Sequence, residues 1–414
     1  MHVVLFTIGS AGDVYPFLGM ALELKRRGHR STLVANDYFR PLVEKAGVDF
    51  IGLGTREDFH AALRTPDLWS PKHGFGVLVR HAVLPRMRPT FEIANGFPLR
   101  DTILVASPLM LGARIAQERL GLPLASVVLQ PSVIWSLEAP PALAAFPLPG
   151  RAPLWLKRLQ MKAIDRFALD PLFLDTVNAF RGELGLNATR HIYTRWVMSP
   201  QKVLGLFPDW FAPLQSDWPA QMRLPGFVRL DRPSRDELPA RLRDFLRAGE
   251  APVVITPGTA MAHGEGFLRE AVEAVQSLGL RAVLLTPHAE QVPKRLPDDM
   301  IQVDYAPFDS LFPKTSAVIH HGGIGTCAQA LANGIPQLVV PQAFDQPDNG
   351  ARLEALGVGE TIPSRTAERG RIAASLARLL KDVDVRIACR RHSEHVDFDE
   401  SRRLACDEIE SLKA

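Results

Sequence analysis

Cysteine is scarce in this chain: Cys327, Cys389 and Cys406 are the full complement, odd in number, widely spaced and free of any CxxC pair. That pattern argues against a disulfide framework and against a structural zinc site, and it fits a reducing compartment. Long apolar runs are missing as well. No uninterrupted stretch approaches the roughly 20 residues that a membrane span needs. The opening MHVVLFTIGSAGD lacks a basic n-region and meets an acid at Asp13, so it reads as a buried strand and not as a signal peptide. A strong charge of either sign is also absent. With 48 basic and 45 acidic residues the formal net charge is +3 and the pI about 8.8, too weak a balance to point to nucleic acid. These absences lead to the expectation of a cytoplasmic protein whose membrane contact, if any, is peripheral at the inner face.

What is present is a globular composition, 46% apolar and 22% charged over 414 residues, long enough for two cores. Apolar runs alternate with amphipathic segments in the N-terminal half: HVVLFTI, PFLGMALELKRRG, RSTLVA, YFRPLVEKAG and VDFIGL, followed by TILVAS, RIAQERLG and LASVVL. This is the βαβ rhythm of a parallel sheet. Gly28, Gly47 and Gly334 each stand where a helical pattern stops. From Thr55 to about Arg100 and from Pro131 to about Pro153 the rhythm breaks, and insertions of that length predict functional loops. GFGVLVRHAVLPRMRP and APLWLKRLQMKAIDRFAL mix apolar residues with Arg and Lys, and the ordinary reading is helices with one wet face.

A second alternation follows a proline- and charge-dense stretch: PVVITP, RAVLLTP, MIQVDYAP, SAVIHH and PQLVVP are the near-continuous apolar runs of strands covered on both faces. The predicted organisation is an N-terminal Rossmann-like domain at 1–215, a linker at 216–235, a C-terminal Rossmann-like domain at 236–381 and a helical tail at 382–414 packing back on the first domain. The fold class is α/β, with two sheets and a cleft between them.

The stretch SAVIHHGGIGTCAQALANG reads as strand, turn and helix, with Gly322, Gly323 and Gly325 in the turn and Thr326 opening the helix. Glycines let backbone approach a ligand, and the positive helix end favours an anion such as a diphosphate. A histidine, His320 or His321, can donate to the same oxygens. The turn is neither GxGxxG nor followed by GK[ST], so neither a dinucleotide fold nor a Walker site is supported. Next comes GIPQLVVPQAFDQPDNG, a buried strand delivering Asp345 and Gln346, an acceptor beside a donor-acceptor, suited to sugar hydroxyls or, alternatively, to capping a helix with Pro347 in its first turn.

HHGGIGT…NGIPQLVVPQAFDQPDN resembles the nucleotide-sugar signature of the UDP-glycosyltransferase-like family of inverting enzymes with the GT-B fold, and GSAGDVYPFLGMALELKRRGH is similar to the amino-terminal GS-x-GDV-x-P of its bacterial and sterol members. Within that family IGSAGDVYPFLG, DLWSPKHGFGVL, LGARIAQERLGLP, SPQKVLGLFPDWFAP and DWPAQMRLPGF resemble the rhamnosyltransferases of rhamnolipid synthesis. The resemblance implies a nucleotide-sugar donor as co-substrate, no cofactor and no required metal.

By the same resemblance, Asp13 stands where the family keeps its general base, in a cleft loop with Ser10 and Gly12; its alternative is a cap on a helix beginning near Pro16. His321, with His320 sharing or replacing it, aligns with the diphosphate contact, and Gly323, Gly325 and Thr326 with the turn beneath it. Asp345 and Gln346 match the pair that holds donor-sugar hydroxyls, Gly258 and Thr259 a loop approaching the phosphates, and Ala306 the backbone beside the pyrimidine. Gln329 replaces a glutamate that binds ribose hydroxyls in many relatives, which favours dTDP over UDP because deoxyribose has no 2′-hydroxyl.

The expected reaction is inverting transfer of a hexose, L-rhamnose from dTDP-rhamnose first, to a hydroxyl of a hydrophobic acceptor such as a 3-hydroxyalkanoyl lipid. LWSPKHGFGVLV and VIWSLEAPPALAAFPLP supply the apolar content on which that acceptor class rests. UDP-sugar-dependent glucosylation of a sterol, polyketide or other small aglycone is the alternative. A non-catalytic nucleotide-sugar-binding protein and a sugar-nucleotide epimerase are alternatives of other classes, separated by acceptor-dependent release of nucleoside diphosphate.

Overall fold

A computed structural model describes all residues except 144, 145, 147, 149, 150, 231–237, 262 and 414. The chain divides into two compact units, one of residues 1–230 with 398–414 and one of residues 231–397. The most charged part of the predicted linker, 231–237, and four residues of the VIWSLEAPPALAAFPLP stretch lie outside the described residues.

The first unit is built on β1 (His2–Phe6), β2 (Arg30–Ala35), β3 (Asp49–Gly52), β4 (Thr102–Ala106), β5 (Leu124–Val128), β6 (Lys202–Gly205) and β7 (Met222–Arg223). All pairs are parallel, in the order β3-β2-β1-β4-β5-β6-β7. The central strand β1 carries Val3, Val4, Leu5 and Phe6, all fully buried, as expected of a strand covered on both faces. β6 and β7, inside SPQKVLGLFPDWF and PAQMRLP, were not anticipated as strands: four and two residues carry too little pattern to stand out among their neighbours.

The second unit carries β8 (Val253–Thr256), β9 (Ala282–Leu285), β10 (Met300–Val303), β11 (Ala317–His320), β12 (Gln337–Val339) and β13 (Gly359–Thr361), again all parallel, in the order β10-β9-β8-β11-β12-β13. Alternation along its strands is clean. Val253, Ile255, Ala317, Ile319 and Leu338 feed one buried layer, with Leu268, Val272 and Leu376 of the covering helices. Val254, Val283, Val318 and Ile301 feed the other, with Leu242, Leu311 and Phe312. A period of two directed into two cores makes a single-residue slip of register costly across the whole sheet.

Two expectations change. The insertion after β3, expected as a functional loop with an ordinary helix at GFGVLVRHAVLPRMRP, is helical over most of its length: Thr55 caps Arg56–Arg64, accepting the Asp58 N–H at 3.1 Å while Asp58 accepts the Thr55 N–H at 3.1 Å, and Leu84–Asn95 packs on Leu111–Leu120. The tail after residue 382 is divided. Helix Val383–Ser393 stays with the second unit, whereas Phe398–Glu410 packs on helix Ala11–Arg26 of the first, with Ala405, Cys406 and Ile409 buried and Arg27 donating to Glu410 at 2.7 Å.

Candidate active site

In each sheet the strand order reverses direction once, between β1 and β4 in the first unit and between β8 and β11 in the second. Open parallel sheets bind ligands beyond the carboxyl ends of the strands at such a point. Both turns that the sequence singled out lie there.

In the first unit β1 runs through Gly9, at φ 128°, into a helix that starts at Ala11 with Ser10 as its N-cap. The expectation of a start near Pro16 is corrected: Pro16 lies inside the helix, because Ser10 and Asp13 together form the capping pair at its head. Asp13 Oδ2 accepts the Ser10 N–H at 2.7 Å and the Ser10 hydroxyl at 3.1 Å. Thr7 Oγ1 donates to the Asp13 carbonyl at 3.0 Å. A Cβ on Gly9 would stand 2.2 Å from Asp13 Oδ2, so glycine is required there for space as well as for conformation. Burial raises the Asp13 carboxyl above the usual carboxylate range, against the Ser10 hydrogen bonds that lower it. Capping and catalysis are therefore compatible readings of Asp13, since the cap uses Oδ2 and the group as a whole is made more basic. Gly12 is exposed in the first turn of the same helix.

In the second unit the paired histidines separate by role. His320 ends β11, fully buried; its Nδ1 accepts the Gly322 N–H at 3.1 Å, so Nε2 carries the proton and faces Gln337 Oε1 at 3.1 Å. Burial and the neighbouring His321 bring its pKa down to about 3, against the Gln337 hydrogen bond, which raises it. Both nitrogens are used inside the unit, which leaves none for a diphosphate and makes His320 the brace of the turn. His321 points elsewhere. Its ring lies between two glycines, where a Cβ on Gly258 would be 2.6 Å from Cε1 and one on Gly323 would be 2.5 Å from Nε2. Burial lowers its pKa to about 4, and its buried Nδ1 has no partner among the described residues. Buried polar atoms without partners are rare in native structures and point to a missing ligand.

Gly322, at φ 93°, and Gly323, the N-cap, lead into helix Ile324–Ala332, whose first turn holds no acid. Thr326 and Cys327 donate back to the Gly323 carbonyl at 3.0 Å each, leaving the first N–H groups of the helix, Ile324 and Gly325, directed at its positive end. Gln329 sits one turn on, partly exposed, with Nε2 3.4 Å from the Gly325 carbonyl. Gly258 follows β8 at φ 88° beside His321, while Thr259 is exposed next to it. Ala306 is buried after β10. β10 stands two strands from β8, roughly 10 Å at normal strand spacing, so Ala306 belongs to the far end of any ligand that reaches His321.

Asp345 and Gln346 do not present matching side chains. Gln346 is buried and its Oε1 accepts the N–H groups of Gln342 at 2.7 Å and Ala343 at 3.0 Å, bracing the corner where Phe344 takes φ 57°. Only its amide nitrogen is left to offer. Asp345 is the N-cap of helix Gln346–Ala355 and partly exposed. Its Oδ2 accepts from Asn349 Nδ2 at 2.6 Å, and the same nitrogen donates to the Gly322 carbonyl at 2.9 Å. Asn349, fully buried, thus ties the Asp-Gln corner to the histidine-glycine turn. Sequence reasoning passed over it, as it did Gln337; the signal for Asn349 was its i+4 spacing from Asp345 on one helix face.

Among the described residues one group of side chains has cation-ligand spacing, Asp165, Asp170 and His191 in the first unit. These atoms are already engaged. His191 Nδ1 pairs with Asp165, Thr194 donates to Asp165 at 2.9 Å, and Asp170 accepts the N–H groups of His191 at 3.2 Å and Ile192 at 3.1 Å, holding His191 at φ 54°.

Comparison with known proteins matches these two turns to two family models. Residues 3–134 fit the glycosyltransferase family 28 N-terminal domain, and residues 273–399 the C-terminal domain of erythromycin biosynthesis protein CIII-like proteins. The O-mycaminosyltylonolide 6-deoxyallosyltransferase of Streptomyces fradiae is 30% identical over 430 residues, covering 99% of this chain and 97% of that protein. A sterol 3-beta-glucosyltransferase of Arabidopsis thaliana is 28% identical over 379 residues, 87% of this chain but 57% of that longer protein. The solved structure of spinosyn rhamnosyltransferase SpnG complexed with thymidine diphosphate superposes with a TM-score of 0.68 at 20% identity, covering 98% of this chain and 99% of that one. The chain therefore belongs to the GT-B glycosyltransferases that join a family 28 N-terminal domain to an erythromycin CIII-like C-terminal domain, and it is a glycosyltransferase.

Proposed function

We propose that this enzyme transfers a 6-deoxyhexose, L-rhamnose first, from a dTDP-sugar to a hydroxyl of a hydrophobic acceptor, with inversion at the anomeric carbon and without a metal. The observation that carries the reading is the turn at His321. An acid-free helix N-terminus, two glycines pressed against one ring and a buried ring nitrogen without a partner form a place for an anion. As the anomeric C–O bond breaks, charge grows on the leaving diphosphate; the Ile324 and Gly325 N–H groups and His321 are the donors that meet it, each worth a few kcal/mol by analogy with single oxyanion donors. Asp13, with its raised pKa, takes the acceptor proton as the hydroxyl oxygen attacks. On this reading the Asp345 carboxylate, held by Asn349, accepts from donor-sugar hydroxyls, and Gln346 contributes its amide nitrogen.

Support for dTDP comes from Gln329, a neutral side chain where ribose-binding relatives carry an acid, and from the deoxysugar named for the Streptomyces relative. For the acceptor, a 3-hydroxyalkanoyl lipid remains the first choice on the local resemblances quoted above. The macrolide and sterol names of the relatives favour a polycyclic or polyketide aglycone as the second. A donor-by-acceptor screen decides between them: dTDP-rhamnose and UDP-glucose, each offered a 3-hydroxyalkanoyl lipid and a planar or macrocyclic aglycone. Nucleoside diphosphate release is expected with dTDP-rhamnose and lipid; product with UDP-glucose alone overturns the donor, and product with aglycone alone overturns the acceptor.

A further inference from the structure

Helix Leu154–Ile164 and the π-helical turn Asp165–Leu169 that continues it leave an unusual set of large apolar side chains exposed in the first unit. The inward face holds polar groups beside the more buried apolar Leu156, Met161, Ile164 and Leu169: Lys157 is buried with Nζ 3.3 Å from the Leu137 carbonyl, and Asp165 is buried against His191 and Thr194. The outward face holds the large apolar residues, with Leu154 57%, Trp155 68%, Leu159 57% and Phe167 75% exposed. At about 100° per residue, positions 154, 155, 158, 159 and 162 share an arc of about 140°. Single exposed apolar residues need no explanation, but three on one arc of a helix, with a fourth, Phe167, exposed in the turn that continues it, do.

Cations are interleaved with them. Arg158, Lys162 and Arg166 are exposed on the same face, Arg151 precedes it, and the only acid in residues 151–168 is the buried Asp165. A second copy of the chain is a poor occupant, because a two-fold contact would set this row of cations against itself. An anionic lipid surface satisfies both components: the aromatic and leucine side chains enter the headgroup boundary while the guanidinium and ammonium groups stay at phosphate level.

We propose that the face formed by Leu154, Trp155, Arg158, Leu159, Lys162 and Phe167 docks this protein on an anionic bilayer, lying in the interface without crossing it. No helix of the described residues is long and apolar enough to span a membrane, so the contact is interfacial. The inference is independent of the donor and acceptor assignments, since it concerns binding and not turnover.

The test is co-sedimentation of the full chain with vesicles of phosphatidylcholine and phosphatidylglycerol in equal parts, and with phosphatidylcholine vesicles, without donor or acceptor. Wild type is expected to partition to the mixed vesicles and to lose that binding with added salt. Arg158→Gln with Lys162→Gln should weaken it by about fivefold per cation. Trp155→Gln with Phe167→Gln should weaken binding to the mixed vesicles about tenfold or more, with thermal melting unchanged because both side chains are exposed. If either pair fails to fold, the lipid and salt dependence of the wild type still decides. Failure of wild type to bind mixed vesicles overturns the proposal, as does undiminished binding by both variant pairs. A wild-type dimer that ignores vesicles and becomes monomeric on Trp155→Gln with Phe167→Gln assigns the face to a second copy and also overturns it.

Discussion

In the first unit the chain leaves β1 through Gly9 at φ 128° and enters a helix; in the second it leaves β11 through Gly322 at φ 93° and enters another, each at the point where its sheet reverses strand order. The backbones are built alike, and the difference lies in what meets the helix N-terminus. In the first turn the protein brings its own carboxylate, Asp13, onto the Ser10 N–H. In the second, no acid stands in the first turn, and the two histidines that precede it are held neutral by burial. A helix end that has satisfied itself cannot recruit an external anion, whereas one left open can. The same scaffold thus yields a proton acceptor in one unit and an anion site in the other.

That contrast breaks most visibly at Asp13. Asp13→Asn keeps an acceptor for the Ser10 N–H and removes a carboxyl whose pKa burial raises, so that its ionisation costs folding free energy. Turnover should fall by about 10²–10⁴-fold while the melting temperature stays level or rises. Steady-state transfer and thermal unfolding on the same preparation check both halves, and a variant that lost stability in proportion to activity would return Asp13 to the role of a cap.

On the anion side, His321→Ala should lower turnover by about 10²-fold. Gly258→Ala should reproduce part of this loss without replacing the histidine, because its Cβ would stand 2.6 Å from His321 Cε1 and its backbone sits at φ 88°. Binding of the nucleoside diphosphate by calorimetry is the measurement. Equal affinity in all three proteins would detach His321 from the anion.

A smaller effect is expected at Asn349, which acts through its neighbours. Asn349→Ala releases Asp345 and the Gly322 carbonyl together, and donor KM should rise about tenfold with kcat much less affected. A fall confined to kcat would contradict this.

The smallest concerns His320. Its folded pKa of about 3 lies below the ordinary 6.5, so the stability it contributes is fully present above pH 6.5 and is lost as the pH falls toward 3. Between pH 7 and pH 5 wild type should lose about 1–2 kcal/mol more than His320→Gln. Denaturant unfolding at the two pH values, compared as slopes, tests it.

Legibility followed pattern strength. Ten apolar runs announced ten of the strands; in most of them both faces are buried, a requirement that writes itself into consecutive residues, and the edge strand β3 was marked by the buried Val48 and Leu53 that flank it. β6, β7 and β13 escaped: β13 in particular has no buried residue, so its GET carries no apolar signature. The insertion after β3 was legible in part: GFGVLVRHAVLPRMRP showed a helical face and is helical, whereas the short helix Arg56–Arg64 that Thr55 caps carried too little pattern to stand out.

By itself, the sequence determined the α/β class, two parallel sheets and the identity of the turns, since glycine, histidine and aspartate at strand ends are local features with local causes. It could not apportion labour among adjacent residues. His320 and His321 differ only in which way a strand's last residues face, inward to Gln337 or outward between Gly258 and Gly323. Gln346 and Asn349 exchanged importance for the same reason: hydrogen bonds reaching from the corner to Gln342 and across to Gly322 consume one side chain and recruit the other. Those pairings join positions up to 27 residues apart and exist only once β11 and β12 lie side by side, so the packed sheet decided them.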